Sequence, residues 1–178
     1  MGHDKAFLEA RGVSWLARAM ELARAVGARR VWVSGRAGVE YGPLEEPVLL
    51  DALPGLGPLG GMERGLQVAT QPLLLVLAVD LWRLNVGVLQ RLHGATRAFV
   101  GAVPRTPRGW EPLVGYYPRH CLAAIQAALR QGRLSVTGLV REGMAEGWLQ
   151  AWDVPQEDLA AFANANVPAD LTSIAADR

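Results

Sequence analysis

Residues 72–80 read Pro-Leu-Leu-Leu-Val-Leu-Ala-Val-Asp, with seven consecutive aliphatic residues from Leu73 to Val79. A helix or strand with one wet face would place polar side chains at regular intervals, and this run has none. A seven-residue stretch is too short to cross a bilayer. The run therefore predicts a strand buried on both faces, as in a parallel sheet that carries helices on each side. Asp80 stops it.

The flanking patterns supply such helices. Ser14 precedes Leu16, Met20, Ala23 and Val26 at helical spacing, and Gly27 stands where a C′ residue belongs. Residues 59–70, 85–94, 119–132 and 134–143 also read as helices. Short β-rich runs lie at 29–35, 47–51, 96–104, 113–117 and 147–155, and "RTPRGWEP" (105–112) reads as a loop. The chain would end in a turn and a helix beginning near Pro168. Alternating strands and helices predict an open, Rossmann-like, three-layer α/β fold with a mostly parallel central sheet, built as a single domain over residues 1–178.

The 178 residues are 51% hydrophobic and 20% charged, enough apolar material for a sizeable core. The net charge of +1 offers no electrostatic footprint for nucleic acid. Cys121 stands alone, which excludes a disulfide framework or cysteine cluster and fits a reducing, cytoplasmic setting. The charged residues Asp4, Lys5 and Glu9 rule out a signal peptide at the N-terminus, and no run is long enough for a membrane span.

Ligands of open α/β folds bind beyond the carboxyl ends of the strands. Asp80 ends the apolar strand there, where a carboxylate can hold Mg²⁺ together with substrate phosphates; the plain alternative is a helix cap. "DALPGLGPLGG" (51–61) is either a loop that lets a ligand approach its backbone at a helix N-terminus or ordinary surface. Asn164 and Asn166 point the same way if extended, a pair of amides suited to a polar ligand or to turn backbone. His3, His93 and His120 lack metal-ligand spacing. Arg105 and Arg108, near Trp110, read as a solvated loop rather than a phosphate grip.

Several stretches resemble one family in order. "MGHDKAFLEARGVSWLARAMELA" is similar to its Met-Gly-x-Asp-Lys, apolar run, turn and helix. "LLDALPGLGPLGGMERGL" is similar to its Asp followed by Gly-Pro-Leu-Ala/Gly-Gly, and "LLLVLAVDLWRL" to its strand ending in Pro-x-Asp-x-Pro. "EPLVGYYPRHCLAAIQAALRQG" and "FANANVPADL" resemble its Pro-Leu strand with long helix and its late Phe-x-Asn-x-Asn motif. The family is molybdenum cofactor guanylyltransferase, within the nucleotidyltransferase superfamily.

The resemblance implies transfer of GMP from GTP to molybdopterin, with Mg²⁺ as cofactor and release of pyrophosphate. Lys5 would neutralise phosphates, and Asp51 would help bind the nucleotide. Gly57, Pro58, Leu59, Gly60 and Gly61 would lie against guanine. Asp80 would hold the metal, with Asn164 and Asn166 near it and the reacting phosphate. Partners would be the two substrates, with neither nucleic acid nor membrane involved, and transient contact with other cofactor-biosynthesis proteins or molybdoenzyme chaperones is compatible. A non-catalytic nucleotide-binding adaptor in molybdoenzyme maturation, or a nucleotidyltransferase for another acceptor, are the alternative readings.

The chain departs from the family pattern in places. Ala78 and Trp82 replace the two prolines around Asp80, and Val167 and Ala169 replace Thr and Glu in the late motif. The family's first strand and its Leu-x-Gly-Gly-x-Ser-x-Arg loop have no counterpart before Met1. The expectation is a sheet lacking its first strand, through a start codon placed too late, a short non-catalytic paralogue, or a strand supplied by a partner.

Overall fold

The computed structural model describes residues 9–10, 13–41, 44, 46–51 and 53–163. Local chemistry explains most of its helices. Helix α1 (Trp15–Ala25) begins where the Ser14 hydroxyl accepts the Ala17 N–H at 3.1 Å, and Gly27 leaves it at φ 90°. Helix α2 (Pro58–Val68) follows Gly57, which turns at φ 61°, with Pro58 inside the first turn. Helices α3 (Val86–Gly94) and α5 (Val136–Ala145) are capped by Asn85 and Ser135, each accepting a backbone N–H at 3.1 Å. Helix α4 is Leu122–Arg130, entered through a 3₁₀ turn at Arg119–Cys121.

The strands are β1 (Glu9–Ala10), β2 (Val13–Ser14), β3 (Val33–Gly35), β4 (Val48–Leu50), β5 (Leu73–Leu77), β6 (Gly101–Thr106), β7 (Gly109–Trp110), β8 (Val114–Pro118) and β9 (Leu149–Asp153). β1 and β2 form a small antiparallel hairpin, and β3 and β4 pair in parallel. In the main sheet β5 pairs antiparallel with β8 over five residues, and β8 pairs antiparallel with β6. β6 also pairs antiparallel with β7 and parallel with β9.

The sheet is thus mixed rather than mostly parallel. No helix separates β6 from β8, and a parallel pair needs a crossover of a dozen residues or so. The "RTPRGWEP" segment is not a plain loop but closes the β6–β7 hairpin, with Arg105 opposite Trp110. The strand expected over 96–104 begins later, at Gly101, behind a turn in which Phe99 adopts φ 63°.

Three layers are present, because alternate residues of the sheet enter two cores. Leu74, Val76, Val103 and Tyr117 pack with α2, α4 and α5. Leu73, Leu75, Leu77, Ala102 and Tyr116 pack with α3 and with Leu22 of α1. A third, smaller cluster joins Leu16 and Met20 of α1 to Val33 of β3.

β5 is not fully buried as its composition suggests: all five of its residues are half-exposed. Its faces are covered by helices, so the exposure arises at an edge. One edge carries β8, and the other borders a cleft of about 1530 Å³ that is lined across from it by Val33 and Ser34 of β3. Among the described residues β3–β4 and β5–β9 form separate sheets on the two sides of this cleft.

Candidate functional site

Asp51 follows the carboxyl end of β4, Ser34 lies within β3, and both face the first turns of α2. This approach depends on two small residues. A Cβ on Gly60 would fall 3.0 Å from Asp51 Cγ, and one on Gly61 would fall 2.2 Å from Ser34 Oγ. The glycines expected to let a ligand near the backbone therefore also let the helix sit against Asp51 and Ser34. Leu59 differs from its neighbours: its side chain is fully buried in the core with Met62 and Leu66.

Asp51 Oδ1 is buried with no hydrogen-bond partner among the described residues. Burial pushes its carboxyl above the ordinary carboxylate value. A desolvated acceptor without a donor is costly to maintain, and such groups concentrate at ligand sites. Here the group borders a helix N-terminus, where backbone donors favour anions.

Asp80 lies beyond the carboxyl end of β5, half-buried. Its loop is fastened from α1, since Arg18 donates to the carbonyl oxygens of Trp82 (2.8 Å) and Leu84 (2.7 Å). The replacement of proline at Ala78 has a structural account. The Ala78 N–H donates to Leu113 O at 2.7 Å and extends the β5–β8 pairing, which proline cannot do.

A second group at this corner was not legible as a site. The Glu111 carboxyl is pushed up by burial, against the pull of Arg108 and of the Thr106 hydroxyl, and the charge of Asp80 pushes it up further. Glu111 and Asp80 are thus electrostatic neighbours. Arg108 reaches Glu111 Oε1 at 3.7 Å and donates to Phe162 O at 2.6 Å. It is exposed, as the loop reading expects, yet it is anchored. Only the exposed guanidinium and the nearby acid in "RGWE" hinted at this. Arg105 pairs instead with Asp153 at 2.7 Å, along β9.

Asp51, Gly57, Pro58 and Gly61 border the cleft. Asp80 follows Val79, which also lines it. Lys5, Asn164 and Asn166 lie outside the described residues. The chain reaches Asn164 through the 3₁₀ segment Gln156–Phe162, where Phe162 is fully buried and Asp158 binds Arg91 at 2.5 and 2.8 Å. His93 and His120 are exposed. Cys121 is buried, its thiol pushed up to about 12 by that burial.

Among the described residues no three of His, Cys, Asp or Glu come together as a metal cage. A site built on the Asp80 carboxylate would suit a cation that takes one or two carboxylates and completes its shell from substrate phosphates and water. That is the coordination habit of Mg²⁺. Among the described residues no helix is long and apolar enough to cross a membrane.

The MobA-like NTP transferase domain matches residues 1–145. The chain belongs to this family. It is 32% identical over 173 residues to a protein of Opitutus terrae named probable molybdenum cofactor guanylyltransferase, covering 96% of this chain and 86% of that one. A Pseudomonas aeruginosa protein named molybdenum cofactor guanylyltransferase is 32% identical over 138 residues, with 74% of this chain and 68% of that one covered. Two solved structures share the fold. Molybdopterin-guanine dinucleotide biosynthesis protein A from Archaeoglobus fulgidus superposes with a TM-score of 0.65 at 19% identity, over 97% of this chain and 89% of that one. The 2-C-methyl-D-erythritol 4-phosphate cytidylyltransferase of Thermus thermophilus gives 0.71 at 22% identity, over 97% and 92%.

Proposed function

We propose that this transferase moves the GMP unit of GTP onto the terminal phosphate of molybdopterin. A phosphate oxygen of molybdopterin bonds to the α-phosphorus of GTP, the bond from that phosphorus to the β-phosphate bridging oxygen breaks, and pyrophosphate leaves with the bond's electrons. What supports this reading is one cleft bordered by Asp51, whose buried carboxylate oxygen has no partner among the described residues, by the glycine-bearing start of α2 and by Val79, the neighbour of Asp80.

The reaction brings anions together, so charge neutralisation and in-line placement dominate it. Asp51 receives a donor from the nucleotide, which relieves its buried, unpaired oxygen. The backbone of Gly57, Gly60 and Gly61 borders the base. Lys5 neutralises phosphate charge, and Asn164 and Asn166 orient the reacting phosphate; these three roles rest on the motif match. Asp80 would hold Mg²⁺, which would supply further neutralisation of the phosphates. No protein nucleophile is required, because the acceptor phosphate is itself the nucleophile.

The test incubates the protein with GTP, Mg²⁺ and molybdopterin and follows pyrophosphate. Release that depends on both substrates is expected, with GTP preferred over CTP and ATP. Asp80→Ala should abolish it, a loss of at least 100-fold being the order of magnitude seen when one charge-stabilising group is removed. GTP binding without pyrophosphate release would refute the transferase reading in favour of an adaptor, and full activity in Asp80→Ala would refute the metal role.

A further inference from the structure

The turn of the β6–β7 hairpin brings one cation to the Asp80 corner. Thr106, one of two buried polar residues among those described, accepts the Arg108 N–H at 3.2 Å, and its hydroxyl lies 3.4 Å from Glu111 Oε1. Gly109 closes the turn at φ 127°. The turn thereby sets Arg108 over Glu111, whose carbonyl accepts the Val114 N–H at 3.1 Å beside the Ala78–Leu113 pair that leads β5 into Asp80. The same guanidinium nitrogen donates to Phe162 O at 2.6 Å, a contact spanning 54 residues of sequence. Phe162 closes the 3₁₀ segment Gln156–Phe162 and is fully buried, and Asn164 is two residues further on. The segment has a second tie in Asp158 to Arg91, so its fold does not hang on Arg108 alone.

We infer that Arg108 is a positioning residue whose guanidinium joins the Asp80 corner, through Glu111, to the backbone from which the chain enters Asn-Ala-Asn. It touches no reacting atom. It fixes where the late motif departs relative to Asp80, and a short displacement of a positioning group is enough to slow an in-line transfer. This rests on the transferase reading for its consequence, though not for its geometry. One nitrogen makes both contacts, so a lysine ammonium, with three donors on a single atom, should keep part of the tie that alanine loses.

Two readouts test this on the full chain. In Arg108→Ala, amide exchange at residues 160–163 should accelerate at least tenfold while exchange in α4 and α5 stays unchanged. Transfer should show kcat reduced at least tenfold at nearly constant KM for GTP, with Arg108→Lys recovering part of the loss. Unchanged exchange at 160–163 overturns the inference whether or not the protein is a transferase. So does an Arg108→Ala enzyme with wild-type kcat, or acceleration spread evenly over the whole molecule, which would mark a merely structural role. Absence of transfer in the wild type, with the local exchange response intact, counts against the transferase reading instead.

Discussion

Replacing Gly61 by alanine tests the approach of α2 to Asp51 and Ser34. In an open helix the change gains about 1 kcal/mol, because glycine is the poorer helix former. Here the new Cβ would lie 2.2 Å from Ser34 Oγ and 3.0 Å from Ser34 Cβ. Both neighbours are short side-chain atoms on strand β3, which cannot swing away as a long side chain would. Overpacking of this kind costs about 1–3 kcal/mol. Gly61→Ala should therefore destabilise by about 1 kcal/mol, reversing the sign expected of an ordinary helical glycine. Ser34→Gly removes both clashing atoms and leaves Asp51 Oδ1, at 3.9 Å, as the next neighbour. In that background Gly61→Ala should stabilise, and the double-mutant cycle should return a coupling of about 1–3 kcal/mol. Urea unfolding at constant m reads it. GTP affinity should fall in Gly61→Ala and recover in the double variant, as α2 moves off Asp51 and returns. If Gly61→Ala raises the urea midpoint in the wild-type background, the helix does not sit where this reasoning needs it.

Two further outcomes follow from charges. Burial raises the Asp51 carboxyl above 3.8, so the folded state holds its proton more tightly than the unfolded chain. Stability from this group is present below that value and is lost as pH rises through the raised one. Asp51→Asn should therefore unfold at higher urea than wild type at neutral pH, by an amount that shrinks as pH falls toward 3.8, while binding GTP more weakly. Identical pH profiles would refute the burial argument. At the Arg91–Asp158 pair the carboxylate is buried at 7% exposure and the guanidinium is half in solvent. Removing the arginine strands a buried charge, whereas removing the aspartate frees a cation into water. Arg91→Ala should cost more stability than Asp158→Ala in thermal unfolding; the reverse order would show that Asp158 is hydrated.

Much of the secondary structure was legible because its causes are local. Ser14 as a cap, Gly27 as a helix stop and the apolar run ended by Asp80 depend on residues within a turn or two of chain. The pairing direction of that run was not legible. Leu73–Leu77 reads the same whether its neighbour is parallel or antiparallel, and the α3 crossover to β6 together with the short β6–β8 connection decides. The candidate site divides in the same way. Asp51, the glycines of α2 and Asp80 stand out by residue type beside a strand end. Glu111 and Arg108 do not, since "RTPRGWEP" has the composition of a solvated loop and lacks the alternation of a hairpin.

Sequence alone established the α/β class, the family pattern and the residues at the strand ends, because caps, periodicity and motif spacing are properties of neighbours along the chain. Tertiary structure decided the mixed sheet, the cleft beside β5, the Asp51 oxygen unpaired among the described residues and the tie from Arg108 to Phe162. Each of these joins segments far apart in sequence, and the energy of a contact depends on what lies across from a group rather than beside it. Whether a carboxylate is solvated or stranded, and whether an arginine is loose or anchored, is therefore settled only when the chain has closed on itself.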